Sequence, residues 1–173
     1  MEVLGRPPTS VAVLGCGPLP ETTIWIADWA QANHHDIYIH NVEVVESRMQ
    51  QARVVCSALG IADNMTFETG DAHVVPRDLK QFEVVYFNAA VGSTEDEKVA
   101  IILDFVARMS PGALLVTRST HALKTMAYPV SILPYEMTLI NTYCFSACCH
   151  AVRTNHAKTA TNSHLVHARR RYR

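Results

Sequence analysis

A glycine-proline turn placed directly after a short apolar segment limits the possible folds of this chain more than any other feature. Residues 10–14 (SVAVL) form an apolar, β-branched run that predicts a buried strand, and residues 15–20 (GCGPLP) follow at once. Gly15 and Gly17 allow the backbone to turn tightly and to approach a ligand without a Cβ clash. A dinucleotide fingerprint has a third glycine where this chain has Pro20. The glycine pair alone is equally typical of a purely structural turn, so both interpretations remain open.

Strand-like and helix-like segments alternate along the rest of the chain. Apolar runs predict strands at residues 36–45, 64–68, 82–87 and 113–117, and helical spacing predicts helices that end near residues 33, 59 and 109. Thr22 or Thr23 is expected to cap the first helix, and Gly60 is expected to end the second. Beyond residue 134 the pattern is weaker, with strand-like residues 137–145, a polar loop at 154–163 and a last strand at 163–168. We predict an α/β fold with a mostly parallel seven-stranded sheet, helices on both faces and an antiparallel last strand.

Composition narrows the class of protein. The chain has 173 residues, of which 49% are hydrophobic and 18% charged, which predicts one globular domain with a normal core. A net charge of −1 gives no electrostatic reason to expect nucleic acid as a partner, and no apolar run is long enough to cross a membrane. Five cysteines without a CxxC pair predict a reducing, cytoplasmic location. We divide the chain into an N-terminal extension (1–9), one domain (10–169) and a basic tail (170–173).

Polar residues follow successive predicted strands and indicate a binding site. Glu43, which lies 26 residues after Gly17, ends the second strand and suits the two hydroxyls of a ribose. Asp71 follows the third strand and can accept the exocyclic amine of an adenine, although a turn or helix cap explains it equally well. The carboxyl ends of parallel strands meet at one edge of a sheet, so these residues are expected to lie together. The predicted site binds S-adenosylmethionine through Gly15, Gly17, Pro18, Glu43, Asp71, Asn88 and Ala89.

Other candidates have ordinary structural explanations. Arg118 suits either a substrate carboxylate or an ion pair, and both remain open. His121 is interpreted as a capping or surface residue, and Tyr86 and Tyr128 as packing groups. The C-x3-C-C-H spacing at residues 144–150 matches no tetrahedral zinc motif, so no metal site is predicted.

The sequence resembles the nicotianamine synthases. Residues 13–23 (VLGCGPLPETT) are similar to the GSGPLPLTS-type turn of that family, and residues 40–43 (HNVE) are similar to its HNFD stretch. The likeness continues through residues 82–92 (FEVVYFNAAVG), similar to FDVVFLAALVG, and through matching blocks at 97–99, 109–115, 118–121, 128–129 and 162–166. The resemblance implies a Rossmann-like class I S-adenosylmethionine-dependent transferase fold. It also implies transfer of the 3-amino-3-carboxypropyl group of S-adenosylmethionine to an amine, with release of methylthioadenosine and formation of nicotianamine, a metal chelator.

The chain also departs from the family pattern. Family members carry an N-terminal helical domain that holds their key catalytic glutamate, whereas the first predicted strand here begins at Ser10. That domain is therefore expected to be missing, and no catalytic residue is assigned. Val45 replaces the family's second aspartate, and Asn88 stands where the family block is apolar. A methyltransferase with the same cofactor site and a non-catalytic S-adenosylmethionine-binding domain are the alternative functions.

Overall fold

The computed structural model describes residues 4–74, 76, 78–88, 94–118, 142–146 and 149–153. Among these residues, the strands are β1 (Ser10–Leu14), β2 (Tyr38–Glu43), β3 (Met65–Thr69), β4 (Val84–Phe87), β5 (Leu114–Arg118), β6 (Thr142–Ser146) and β7 (Cys149–Arg153). The helices are α1 (Glu21–Ala32), α2 (Glu46–Ala58) and α3 (Glu95–Arg108), and one 3-10 turn spans Leu79–Gln81.

The described strands form a single sheet in the order β3-β2-β1-β4-β5-β7-β6. Strands β1 to β5 are parallel to one another, whereas β7 pairs antiparallel with both β5 and β6. The chain runs outward from β1 to β3 and then returns to place β4 on the other side of β1. The strand order therefore reverses beside β1, which is where open α/β sheets bind ligands.

Helices cover both faces of the sheet, as predicted. Alternate side chains of β1 belong to two separate apolar clusters, since successive residues of a strand point to opposite faces. Ala12 and Leu14 lie in the cluster that α3 supplies with Ile101, Ile102 and Phe105. Val11 and Val13 lie in the cluster that α1 and α2 supply with Ala30, Met49 and Ala52. This placement of α1 and α2 on one face and α3 on the other is the one expected for right-handed crossovers.

Local signals explain where several elements end. Gly60 has a φ of 68° and follows the last turn of α2, which confirms the predicted glycine stop. The side chain of Thr94 caps α3 by accepting a hydrogen bond from the Glu97 amide at 3.2 Å. Gly112, with a φ of 87°, lies in the turn that leads into β5. The predicted strands and helices up to residue 118 are confirmed to within a few residues at their ends.

The prediction that Thr22 or Thr23 caps α1 is wrong. The helix begins at Glu21, and its N-cap residue is Pro20, which makes no side-chain capping bond. Both threonines lie inside the first turn and are buried, and their hydroxyls bond to side chains of the neighbouring strands. The sequence shows a threonine near a helix start but cannot show which way its hydroxyl points.

The C-terminal part of the chain differs from its prediction in one strand. The strand-like segment 137–145 overlaps β6, but β7 was not predicted, and it is β7 that runs antiparallel to β5. The run CHAVR has a weak strand pattern, and long-range pairing with β5 and β6 places it in the sheet. The predicted loop at 154–163 and the predicted last strand at 163–168 lie outside the described residues.

The segment before β1 is bonded to the body of the sheet. The Arg6 guanidinium forms an ion pair with Glu83, and the Thr9 amide donates to the Glu83 carboxylate at 2.7 Å. These contacts hold the pKa of Glu83 below its usual value, with the Arg6 hydrogen bond as the largest cause.

Strand β3 lies at one end of the strand order. Beside it, the Arg53 guanidinium lies 5.4 Å from the ring centroid of Phe67 and donates to the Phe67 carbonyl at 3.4 Å. None of the helices within the described ranges has the length and apolar character of a transmembrane segment.

Candidate functional site

The turn between β1 and α1 is the centre of the candidate site. Gly15 and Gly17 have φ values of 74° and 71°, a backbone conformation that favours glycine. The amides of Gly15 and Cys16 both donate to the Val42 carbonyl, at 2.9 and 3.0 Å, so the turn is fixed against β2. A Cβ built on Gly17 meets no atom within 4 Å. Backbone geometry and not crowding therefore requires glycine at this position, and the space beside it is open.

Glu43 joins the turn to the end of β2. Its side chain is only 6% exposed, and its Oε2 accepts a hydrogen bond from the Gly17 amide at 3.1 Å. Its Oε1 accepts from the Val45 amide at 3.2 Å. A carboxylate offers about four lone-pair positions, so each oxygen retains capacity for a further donor. The predicted acidic residue thus lies directly beside the predicted glycine turn.

Asn88 joins the same turn to the end of β4. Its backbone amide donates to the Leu14 carbonyl at 3.1 Å, and its Nδ2 donates to the Gly15 carbonyl at 2.9 Å. Its Oδ1 accepts from the Thr22 hydroxyl at 3.4 Å. The side-chain amide is therefore engaged with the turn, and a contact with a ligand remains a prediction.

Asp71 follows a residue that is hydrogen-bonded to the backbone of Glu43, and its own side chain is exposed. The Gly70 amide donates to the Glu43 carbonyl at 3.0 Å, which brings the end of β3 to this edge. The Asp71 carboxylate accepts from the His73 amide at 2.9 Å, which is the Asx-type turn that the sequence left open. A role in adenine binding remains a prediction. Pro18 is exposed on the turn, and Ala89 lies outside the described residues.

Cys16 and the pair Thr23–Asn41 belong to the site region but were not predicted. Cys16 lies between the two glycines and is 6% exposed; burial first, and then the Glu43 carboxylate, raises the pKa of its thiol to about 12. Thr23 and Asn41 are both 0% exposed, and the Thr23 hydroxyl donates to the Asn41 Oδ1. The sequence offered two signals for Asn41: it is a polar residue within a predicted strand, and it belongs to the HNVE stretch that resembles the family's HNFD.

A second polar cluster lies on the other face of β2. The Thr66 hydroxyl contacts both the Tyr38 hydroxyl, at 2.6 Å, and the Nδ1 of His40, at 2.7 Å. The His40 Nε2 contacts the Glu68 carboxylate at 3.0 Å, and the imidazole stacks on the Phe82 ring. Burial lowers the pKa of His40, and it outweighs the opposing effect of Glu68.

Tyr86, Arg118, His121 and Tyr128 are the remaining sequence candidates. Tyr86 is half-buried and packs against the apolar cluster under α1, as expected for a packing group. Arg118 is the last residue of β5, while His121 and Tyr128 lie outside the described residues. Across the portion of the chain that the structure describes, no three potential metal-ligating side chains converge. The side chains of residues 144–150 are not among those described.

A shallow cavity lies at the amino ends of the strands, opposite the glycine turn. It has a volume of about 170 Å³ and is lined partly by His35, Gly60 and Asn64, which lie near the starts of β2 and β3. The α1 carbonyls nearest to it, those of Ala30 and Gln31, already accept backbone hydrogen bonds. We assign no function to this cavity, since it lies far along the strands from the glycine turn.

The chain matches the family model described as nicotianamine synthase protein over residues 1–163. The chain belongs to the nicotianamine synthase family. It is 38% identical over 127 residues to the probable nicotianamine synthase 4 of Arabidopsis thaliana, a match that covers 73% of this chain and 38% of that protein. It is 34% identical over 131 residues to nicotianamine synthase 9 of Hordeum vulgare, covering 75% and 37% respectively. The chain therefore matches a little over a third of the length of these curated relatives.

Solved structures with a similar fold include MtNAS and an RNA methyltransferase. A mutant of MtNAS in complex with S-adenosylmethionine superposes with a TM-score of 0.60 at 19% identity, covering 85% of this chain and 54% of that one. An RNA methyltransferase from Salinibacter ruber in complex with S-adenosyl-L-homocysteine gives a TM-score of 0.62 at 15% identity, covering 86% and 82%. The predicted Rossmann-like fold of S-adenosylmethionine-dependent transferases is confirmed.

Proposed function

We propose that this chain binds S-adenosylmethionine and belongs to an enzyme that transfers its 3-amino-3-carboxypropyl group to an amine, as in nicotianamine biosynthesis. One observation carries the proposal. The buried Glu43 carboxylate accepts a hydrogen bond from the Gly17 amide at the place where the strand order of the sheet reverses, in a chain that matches the nicotianamine synthase family. The names of the curated relatives support this reaction, as do the MtNAS structures with S-adenosylmethionine and with MTA and tNA. We assign binding to the domain formed by residues 10–169.

The residues at the turn fit a nucleoside with a charged amino-acid tail. The space beside Gly17 accepts a ligand group, because no protein atom lies within 4 Å of the position a Cβ would take. Glu43 retains acceptor capacity on both oxygens, which suits the two hydroxyls of a ribose. Asp71, on the neighbouring loop, offers a second carboxylate for the adenine amine. We propose Gly15, Gly17, Pro18, Glu43, Asp71, Asn88 and Ala89 as the residues that surround the ligand.

The chemistry follows from the sulfonium of the substrate. The positive sulfur makes its neighbouring methylene carbons electrophilic, and a deprotonated amine attacks the methylene of the aminocarboxypropyl chain. The new C–N bond forms as the C–S bond breaks, the bonding pair moves to sulfur, and neutral methylthioadenosine leaves. The nitrogen then loses a proton to a general base. Holding both partners at attack distance supplies much of the rate, and we assign to the turn and Glu43 the part of that task that concerns S-adenosylmethionine.

Product analysis tests the proposed reaction. The full chain is incubated with S-adenosylmethionine, whose own amino group is one available acceptor, and the nucleosides are identified by mass spectrometry beside a Glu43→Ala control. We expect methylthioadenosine from the wild type and none above background from the control. S-adenosylhomocysteine would instead establish the methyltransferase alternative and overturn the proposal. Tight binding without either product would establish a binding domain and overturn the catalytic part.

We also propose that the chain acts in the cytoplasm on small molecules. Cys16 and Cys56 are free thiols in the structure, which supports a reducing compartment. Fractionation of cells that express the chain with a C-terminal tag tests the location, and we expect the tag in the cytosolic fraction. Recovery of the tag in another compartment would contradict this assignment.

A further inference from the structure

The first turn of α1 carries two adjacent threonines that are both buried. Thr22 is 6% exposed and Thr23 is 0% exposed, although threonine is a weak helix former and neither residue caps the helix. Neighbouring positions of an α-helix point about 100° apart around the axis. The two hydroxyls therefore reach different strands of the sheet.

Thr23 fixes the helix to β2. Its hydroxyl donates to the Asn41 Oδ1, and the Asn41 Nδ2 donates onward to the Thr66 carbonyl of β3 at 3.3 Å. Asn41 is 0% exposed, so this polar group is enclosed by protein and depends on these partners. It also lies two residues before Glu43 on the same face of β2, because side chains alternate along a strand.

Thr22 fixes the same turn to the end of β4. Its hydroxyl donates to the Asn88 Oδ1 at 3.4 Å, and the Asn88 Nδ2 donates to the Gly15 carbonyl at 2.9 Å. Strands β2 and β4 are the two neighbours of β1 in the sheet. The start of α1 is thus bonded to both sides of the strand that carries the glycine turn.

We propose that Thr22 and Thr23 are positioning residues that hold the glycine turn in its binding geometry. The glycine turn is the short connection between β1 and α1. Holding the N-terminal residues of α1 in place therefore fixes the end of that connection. The Thr22–Asn88 bond sets its distance from β4, and the Thr23–Asn41 bond sets its distance from β2 and Glu43. The consequence for S-adenosylmethionine rests on the proposed function, whereas the consequence for the turn itself does not.

Amide hydrogen exchange of the full chain without ligand tests the positioning directly. The variants are Thr22→Val and Thr23→Val, which remove a hydroxyl at nearly constant shape, and Thr23→Ser, which retains it. We expect the Gly15–Gly17 amides to exchange about tenfold faster in each valine variant, after correction for global stability, and at about the wild-type rate in Thr23→Ser.

The matched control is Ser10→Ala, which removes two hydrogen bonds at the other end of β1. The Ser10 hydroxyl donates to the Gln81 carbonyl at 2.9 Å and accepts from the Glu83 amide at 3.2 Å, so its loss lowers stability without touching the turn. If the valine variants accelerate these amides no more than Ser10→Ala does, the positioning role is overturned. The positioning role is also overturned if the Gly15–Gly17 amides of Thr23→Ser exchange as fast as those of Thr23→Val.

Calorimetric titration with S-adenosylmethionine connects the turn to binding. We expect the dissociation constant to rise about tenfold in Thr22→Val and Thr23→Val and to stay near the wild-type value in Thr23→Ser and Ser10→Ala. Unchanged affinity in the valine variants would overturn the link between the threonines and binding. Absence of binding by the wild type would instead reject the proposed function, while the exchange experiment would still decide whether the threonines fix the turn.

Discussion

Glu43 and Gly17 are joined by a hydrogen bond of 3.1 Å across 26 residues of sequence. The carboxylate that ends β2 therefore contacts the turn that follows β1. This contact aligns the backbone of Gly17 with the acid and holds the two groups in one arrangement. A preorganised site loses less conformational freedom on binding, which favours affinity.

Replacing Glu43 is expected to abolish binding of S-adenosylmethionine while the fold survives. In Glu43→Ala the amides of Gly17 and Val45 lose their acceptor, which lowers the free energy of unfolding by about 1–3 kcal/mol. Calorimetric titration should therefore show no measurable binding at ligand concentrations that saturate the wild type. Glu46→Gln is the matched control, because Glu46 is exposed at the start of α2 and should leave the affinity unchanged. Unchanged affinity in Glu43→Ala would reject this site assignment.

Gly17→Ala and Gly60→Ala separate backbone strain from ligand binding. The two glycines have nearly the same φ, 71° and 68°, and neither has an atom within 4 Å of a built Cβ. Each alanine should therefore lower the free energy of unfolding by about 1–2 kcal/mol, as measured by urea denaturation. Only Gly17→Ala should also weaken S-adenosylmethionine binding, since Gly60 lies at the amino ends of the strands, opposite the glycine turn. Equal affinities in the two variants would show that the ligand does not approach Gly17.

The stability of the fold should fall as the pH drops below about 6.5. Burial lowers the pKa of His40 from 6.5, so the unfolded chain takes up a proton at a higher pH than the folded chain does. The contribution of neutral His40 is fully present above pH 6.5 and is lost progressively between 6.5 and the lower folded pKa. Urea denaturation from pH 5 to 7.5 should show this slope in the wild type and a flatter one in His40→Gln. Identical slopes would contradict the assignment to His40.

Cys16 should resist alkylation in the folded chain. Its pKa of about 12 leaves about one thiolate in ten thousand at pH 8, and its side chain is buried. Peptide mass spectrometry after iodoacetamide treatment should show slow labelling of Cys16 in buffer and rapid labelling in urea. Comparable rates under the two conditions would show that the glycine turn opens readily.

The elements with local signals were the ones that sequence could predict. The β1 strand and the stop at Gly60 follow from an apolar run and from a glycine that can adopt positive φ. Glu43 and Asn88 were expected near the turn because parallel strands bring their carboxyl ends together. The sequence did not show that both residues already bond to the turn itself, because that depends on side-chain rotamers.

The errors share a dependence on distant contacts. Thr22 or Thr23 was expected to cap a helix, but their partners Asn88 and Asn41 lie 66 and 18 residues away along the chain. Strand β7 has little pattern of its own and is recruited by its antiparallel neighbours. In both cases the deciding partner lies far outside the window in which periodicity can be read.

The position of Arg53 beside Phe67 has a consequence for the behaviour of the chain at high concentration. Within the part of the chain that the structure describes, β3 is the outermost strand on its side of the sheet, and such a strand presents backbone groups that can recruit a strand from another molecule. Arg53 places a positive charge over the middle of that strand and donates to the Phe67 carbonyl. A strand from a second molecule must displace this side chain and bury its charge before it can pair with β3, so Arg53 hinders edge-to-edge association at this strand.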